Sequence, residues 1–149
     1  MMLSEHFSLA EMIHSDTAIR LGIRNVPDDA QIDNLRRLCV NILEPLRASL
    51  GKPIRVTSGL RVPVLNTIIG GVSTSDHCFG RAADITVEGV PAKALCEAIK
   101  SLGLPYRQCI QEFGAWAHVS IPPAGGIPAR EDLTALKLAG KTVYERGFV

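Results

Sequence analysis

Gln108-Cys109-Ile110-Gln111-Glu112-Phe113-Gly114-Ala115-Trp116-Ala117-His118-Val119-Ser120-Ile121 is the stretch that decides the fold class. Its arms, 108–113 and 117–121, read as β-strands joined by a tight turn at Gly114-Ala115, a spacing that argues for antiparallel pairing. In the second arm Ala117, Val119 and Ile121 take one face, while His118 and Ser120 take the other. Ala83-Asp84-Ile85-Thr86-Val87 repeats the pattern upstream, with Ala83, Ile85 and Val87 opposite Asp84 and Thr86. Each strand thus has an apolar side for a core and a polar side holding one potential metal ligand. Ile54-Arg55-Val56-Thr57-Ser58 alternates as a further strand.

Helices precede and interrupt these strands. Ser8-Leu9-Ala10-Glu11 has the form of a capping box and predicts a short helix over about residues 8–14. A polar stretch follows, ending at Pro27-Asp28-Asp29. Ile32, Leu35, Leu38, Cys39, Ile42, Leu43, Leu46 and Leu50 then fall on one helical stripe, with Pro45 expected to kink it and Gly51 to stop it. Leu65, Ile68 and Ile69 suggest a short helix ended by Gly70-Gly71, residues 72–81 a polar loop, and Pro91 to Leu102 another helix. The tail from residue 122 is rich in Pro and Gly, and its 132–144 part reads equally as helix or strand. The fold class is α+β, not a doubly wound parallel sheet.

The chain has 149 residues, 46% of them hydrophobic and 21% charged, which fits a single domain with its own core. Sixteen Lys+Arg against 15 Asp+Glu give a net charge of +1, with no electrostatic footprint for non-specific nucleic-acid binding. No apolar run is long enough for membrane insertion. Met1–Asp16 lacks the basic and apolar regions of a signal peptide, so synthesis in a cytoplasm without export is expected. None of the cysteines (Cys39, Cys78, Cys96 and Cys109) forms a CxxC pair, and reduced, buried thiols are expected. His6 and His14 fall near the first helix as surface or capping residues.

Should the two alternating strands share a sheet, Asp84 and His118 point into one pocket. His77, seven residues before Asp84, lies in the loop feeding that strand and can fold over its polar face. Two imidazoles and a carboxylate suit Zn²⁺, with a fourth position left for water. Spacing leaves the alternative open: a solvated His77, an Asp84 capping a turn, and a core His118 bonded to backbone.

The stretch Ser75-Asp76-His77-Cys78-Phe79-Gly80-Arg81-Ala82-Ala83-Asp84 resembles the S-x-H-x-x-G-x-A-x-D signature of the M15 zinc peptidases, which cut bacterial cell-wall peptides. Trp116-Ala117-His118 resembles the family's W-x-H motif and Ser58-Gly59-Leu60-Arg61 its S-G-Y-R segment. Asn66 with Gly70-Gly71 fits the run between them. Leu3-Ser4-Glu5-His6-Phe7 resembles the start of the compact branch found in phage lysis and tail proteins. The resemblance covers about residues 3–121 of the single domain 1–149, leaving 122–149 as a C-terminal extension.

The resemblance implies a hedgehog/DD-peptidase fold, a small antiparallel sheet flanked by helices. It implies zinc held by His77, Asp84 and His118, and hydrolysis of peptidoglycan stem peptides by a metal-activated water, as a D,D-carboxypeptidase or an L-Ala-D-Glu-type endopeptidase. Some members place an acid three residues before the last histidine, but here that residue is Ala115. The nearest acid is Glu112, which a hairpin can turn toward His118, and it is expected to be the catalytic general base and acid. Arg61 is expected in catalysis and substrate binding, through a guanidinium fork suited to carboxylate or carbonyl oxygen. Ser75 and Trp116 are expected to bind substrate, Trp116 either lining the pocket or covering it. Leu60 and Val62 replace the usual tyrosine and serine of the S-G-Y-R-S run, on the presumed substrate side.

The expected partner is a peptidoglycan peptide, with no nucleic acid and no membrane insertion, and the chain is expected to be a monomer. The expected setting is a wall hydrolase released in phage lysis or carried on a virion. The competing function is a non-catalytic cell-wall-binding or phage assembly module on the same fold.

Overall fold

The computed structural model describes every residue from Met1 to Val149. Its strands are β1 (Arg55–Ser58), β2 (Ala82–Thr86), β3 (Gln108–Glu112), β4 (Trp116–Ser120), β5 (Glu131–Leu138) and β6 (Lys141–Arg146). They form one sheet in the order β1-β2-β4-β3-β5-β6. All neighbours are antiparallel except β3 and β5, which run parallel. The α+β class and the antiparallel centre match the sequence reading.

The tail, legible equally as helix or strand, is a β-hairpin that extends this sheet. The β3–β4 turn contains the expected Gly114-Ala115 but begins one residue earlier, at Phe113, and the Ala115 N–H donates across it to Glu112 O at 2.9 Å. Phe113 (φ 57°) and Gly114 (φ 68°) are both left-handed, within the three-residue loop that the pairing of Glu112 with Trp116 leaves between the strands. Trp116 is thereby drawn into β4.

The helices are α1 (Leu9–Ile13), α2 (Asp16–Leu21), α3 (Asp29–Leu38), α4 (Glu44–Leu50), α5 (Pro63–Ile69) and α6 (Ala92–Ser101). α1 carries the expected reciprocal capping box between Ser8 and Glu11. α2 falls in the stretch taken as merely polar. Ser15 caps its start and a left-handed Gly22 its end, and these two local signals suffice for six residues that bury only Ala18. Between α3 and α4, Cys39–Leu43 is a π-helical turn in which the Glu44 N–H reaches back to Cys39 O. This is the physical form of the expected disturbance at Pro45. Proline has no N–H for the carbonyl four residues earlier, and its ring crowds that carbonyl, so the preceding turn widens.

Leu35, Leu38, Ile42, Leu43 and Leu46 from this long helical run pack with Ala83, Ile85, Cys109, Ala117 and Val119 from the inner face of the sheet. α6 lies against β3 and β4 and adds Leu95, Cys96 and Ile99. Each fully buried aliphatic side chain contributes about 1.5–3 kcal/mol. All four cysteines are buried and unpaired. With one face of β2 and β4 committed to this core, alternation turns Asp84, His118 and Ser120 to the other face. No helix is long and apolar enough to cross a membrane.

The N-terminal segment is tied to α4 by Glu44, which accepts from Ser4 Oγ and the His6 N–H, both at 2.7 Å, and meets His6 Nδ1 at 2.8 Å. Burial pushes the Glu44 carboxyl up, but the bonds from His6 and Ser4 outweigh it and hold the group below its ordinary 4.5. A carboxyl depressed in the folded state contributes its full stability above about pH 4.5 and loses it as pH falls through the lower folded value. Glu44→Gln should therefore cost about 1 kcal/mol at neutral pH, with the gap to the parent narrowing on acidification below pH 4.5. Urea denaturation of both chains across that range checks it.

Candidate metal centre

Asp84 of β2 lies directly opposite His118 of β4 in the antiparallel register, both on the outer face. His77 arrives from a single 3-10 turn, Asp76–Phe79. Ser75 caps that turn by accepting from the His77 N–H at 3.3 Å, and Gly80 ends it at φ 72°. A Cβ on Gly80 would sit 2.7 Å from Gln31 O, so the turn can lie this close to α3 only with glycine there.

The 59–61 segment then fixes the imidazole. The Arg61 N–H donates to His77 O at 3.0 Å, and His77 Nδ1 lies 2.7 Å from Gly59 O. Gly59 reaches this place by pressing against Met12 O, a contact that leaves no room for a side chain. Buried Asn25 holds the same segment, donating to Leu60 O and accepting from the Val62 N–H.

One ligand atom from each of His77, Asp84 and His118 lies within 4.8 Å of the others. His77 Nε2 is 3.3 Å and His118 Nδ1 3.0 Å from Asp84 Oδ1. Arg61 Nη2 takes the other carboxylate oxygen, Oδ2, at 3.0 Å. Burial would raise Asp84, but His77 and His118 outweigh it and hold the group far below the carboxylate range. Burial pulls His77 the other way, toward the neutral imidazole, against the neighbouring Asp84.

The fit to a cation follows from this donor set. Gly59 O can only accept, so His77 carries its proton on Nδ1 and turns the Nε2 lone pair toward Asp84 Oδ1. Two acceptors facing at 3.3 Å repel unless positive charge lies between them. Two imidazoles and a carboxylate converging on one point are a zinc donor set, and the Nδ1–H bond to a backbone carbonyl orients such a ligand.

The three residues lie in a cleft of about 590 Å³. Glu112, Trp116, Arg61 and Ser75 all line it. Glu112 does not face His118 squarely, because Ile110 occupies that register position and Glu112 pairs with Trp116. It is a diagonal neighbour on the same face, roughly 7–8 Å away between Cα atoms. Burial raises its carboxyl above the ordinary value, with Asp84 adding to the rise and His118 opposing it. The Trp116 indole N–H is buried without a partner. Arg61 is committed through Nε to Ser58 Oγ at 2.9 Å and through Nη2 to Asp84. Cys78, adjacent to His77, stays outside the ligand group.

Sequence reasoning missed Asp76. It is buried beneath the turn, where Arg81 donates to Oδ1 at 3.1 Å and Arg107 to Oδ2 at 2.6 Å. The available signal was an acid immediately before a ligand histidine with an arginine five residues on. Also missed were Lys137, Thr142 and Tyr144, which the C-terminal hairpin brings into the cleft wall.

The model of the peptidase M15 family matches residues 5–120. Among characterised proteins, the zinc D-Ala-D-Ala carboxypeptidase of Streptomyces albus G is 37% identical over 62 residues. That alignment covers 41% of this chain but only 24% of the carboxypeptidase.

Asp76→Ala would take away the carboxylate that Arg81 and Arg107 share, and should destabilise the fold by about 1–3 kcal/mol, since both arginines keep access to solvent. Chemical denaturation reads the loss, and faster amide exchange confined to residues 75–81 would show which segment it frees.

Proposed function

The chain belongs to the peptidase M15 family, and on that premise we propose that it is a zinc metallopeptidase hydrolysing peptide bonds in the stem peptides of bacterial peptidoglycan. The observation that carries this reading is the convergence of His77, Asp84 and His118 in a cleft whose wall also presents Glu112. The carboxypeptidase relative supports zinc as the metal and a D-alanyl peptide as the substrate class. A D,D-carboxypeptidase and an L-Ala-D-Glu-type endopeptidase both fit these residues.

His77, Asp84 and His118 would hold the metal, and bound zinc supplies a Lewis acid that polarises a carbonyl and lowers the pKa of water. Glu112 serves as general base and acid. Its carboxylate takes a proton from the attacking water and returns it to the departing amine, two transfers that a carboxyl raised by partial burial performs well. Arg61 has two tasks. Nη2 holds Asp84 so that Oδ1 alone turns toward the histidines, and Nη1 is left for a substrate oxygen. The unpartnered Trp116 indole N–H is a donor suited to a substrate carbonyl. Ser75 acts on the ligand loop, as the cap of the His77 turn.

Elemental analysis of the purified chain should find about one zinc per chain, lost in His77→Ala, and the zinc-loaded protein should release soluble peptides or D-alanine from purified sacculi. Glu112→Gln should keep the zinc and lower kcat by about 10²–10⁴-fold. No zinc after reconstitution, or full turnover by the Glu112→Gln chain, would sink the metal reading or the base assignment respectively.

A further inference from the structure

The family match ends at Ser120, yet the cleft does not. The β5–β6 hairpin continues the outer face of the sheet. Ala135 lies beside Glu112 and pairs with Tyr144, and two residues on Lys137 pairs with Thr142. Lys137, Thr142 and Tyr144 all line the cleft.

Two features set this wall apart. Among the cations lining the cleft, Arg61 and Arg107 are engaged by Asp84 and Asp76, whereas Lys137 has no acidic partner. Its ammonium donates to Thr142 Oγ1 at 2.9 Å and lies 5.3 Å from the centre of the Phe113 ring. Phe113 itself occupies the first position of the β3–β4 turn at φ 57°, where Asn, Asp or Gly would fit without strain. The Phe113 N–H is anchored on Ala135 O at 3.0 Å, and its ring meets Trp116 edge-on at 5.8 Å. A strained aromatic held at the mouth of a cleft, under an unpaired cation, is an arrangement that folding alone does not require.

We propose that Phe113 and the β5–β6 hairpin form a recognition lip in which Lys137 takes a free carboxylate on the substrate peptide and the Phe113–Trp116 edge takes its apolar part. The inference rests on the peptidase reading for the identity of the ligand as a peptide. Sheet spacing puts Lys137 roughly 15 Å from His118 between Cα atoms. After the reach of a lysine side chain, that places the carboxylate roughly two to three extended residues from the scissile bond. Arg61 is held by Ser58 of β1 and Asp84 of β2, on the side of the sheet away from β5–β6; with Arg61 taking the carboxyl-terminal end of the peptide, the residue recognised by Lys137 lies on the amino-terminal side of the bond.

Trp116 is the one tryptophan of the chain, so its fluorescence reports on this cleft alone. The probes are two synthetic pentapeptides ending in D-Ala-D-Ala, identical except for Glu or Gln at the second position. They are titrated into the zinc-supplemented Glu112→Gln chain, with and without Lys137→Met. The Glu peptide should bind roughly three- to tenfold more tightly, a preference that weakens with salt and falls to about one in the Lys137→Met chain. Phe113→Asn should unfold at the same or higher denaturant concentration yet bind both peptides more weakly.

Equal binding of the two peptides, a preference untouched by Lys137→Met, no binding of either, or undiminished binding by Phe113→Asn would overturn the lip. Cleavage of both peptides by the wild-type chain alongside any of these results leaves the peptidase reading standing. The expected binding pattern without any cleavage removes that reading and leaves the lip.

Discussion

An ionised carboxylate, Asp84, sits almost fully buried in the middle of a small sheet, and the surrounding structure is organised to tolerate it. Arg61 neutralises one oxygen, while two imidazoles converge on the other. A buried charge costs several kcal/mol unless it is paired, so each neighbour of Asp84 is constrained in turn. His77 is held by Gly59 O, Gly59 is pressed on Met12, and Asn25 bonds the residues on either side of Arg61. The chemistry a metal would perform there is a consequence of the same lone pairs, which repel one another unless positive charge lies between them.

The layers of the fold divide the labour. The helical run through α3 and α4 supplies the apolar bulk that commits the inner face of β2 and β4. The outer face is thereby freed for polar residues, and with residues 69–77 it lines the cleft. β3 and β4 bring Glu112, Trp116 and His118 into a shared register, and the parallel addition of β5 widens that surface beyond the metal. Of the three non-glycine residues at positive φ, Phe113, Arg130 and Ala139, Phe113 is the one that lines the cleft, and its backbone bond to Ala135 couples the hairpin turn to the extension.

Much of this was legible in the residues. Alternation in 83–87 and 117–121 sorted Asp84 and His118 onto one face, and the Ser8/Glu11 capping box and the Leu35–Leu46 stripe located their helices. α2 escaped because its pattern has too little apolar periodicity; its signal was the pair of caps, Ser15 and Gly22. The β3–β4 turn was read one residue late because phenylalanine is disfavoured where φ is positive, and only the cross-strand pairing of Glu112 with Trp116 compels it.

The sequence by itself determined which residues could be metal ligands, which faces of the strands they occupy and where most helices start and stop, because these depend on periodicities of two and 3.6 residues and on contacts within one turn. Tertiary structure alone decided that His77 meets Asp84, that Arg61 is spent on a ligand oxygen, that Asp76 clamps two arginines and that the tail reaches the cleft. Those outcomes depend on the register between distant strands and on close backbone approaches such as Gly59 against Met12, which no local pattern encodes.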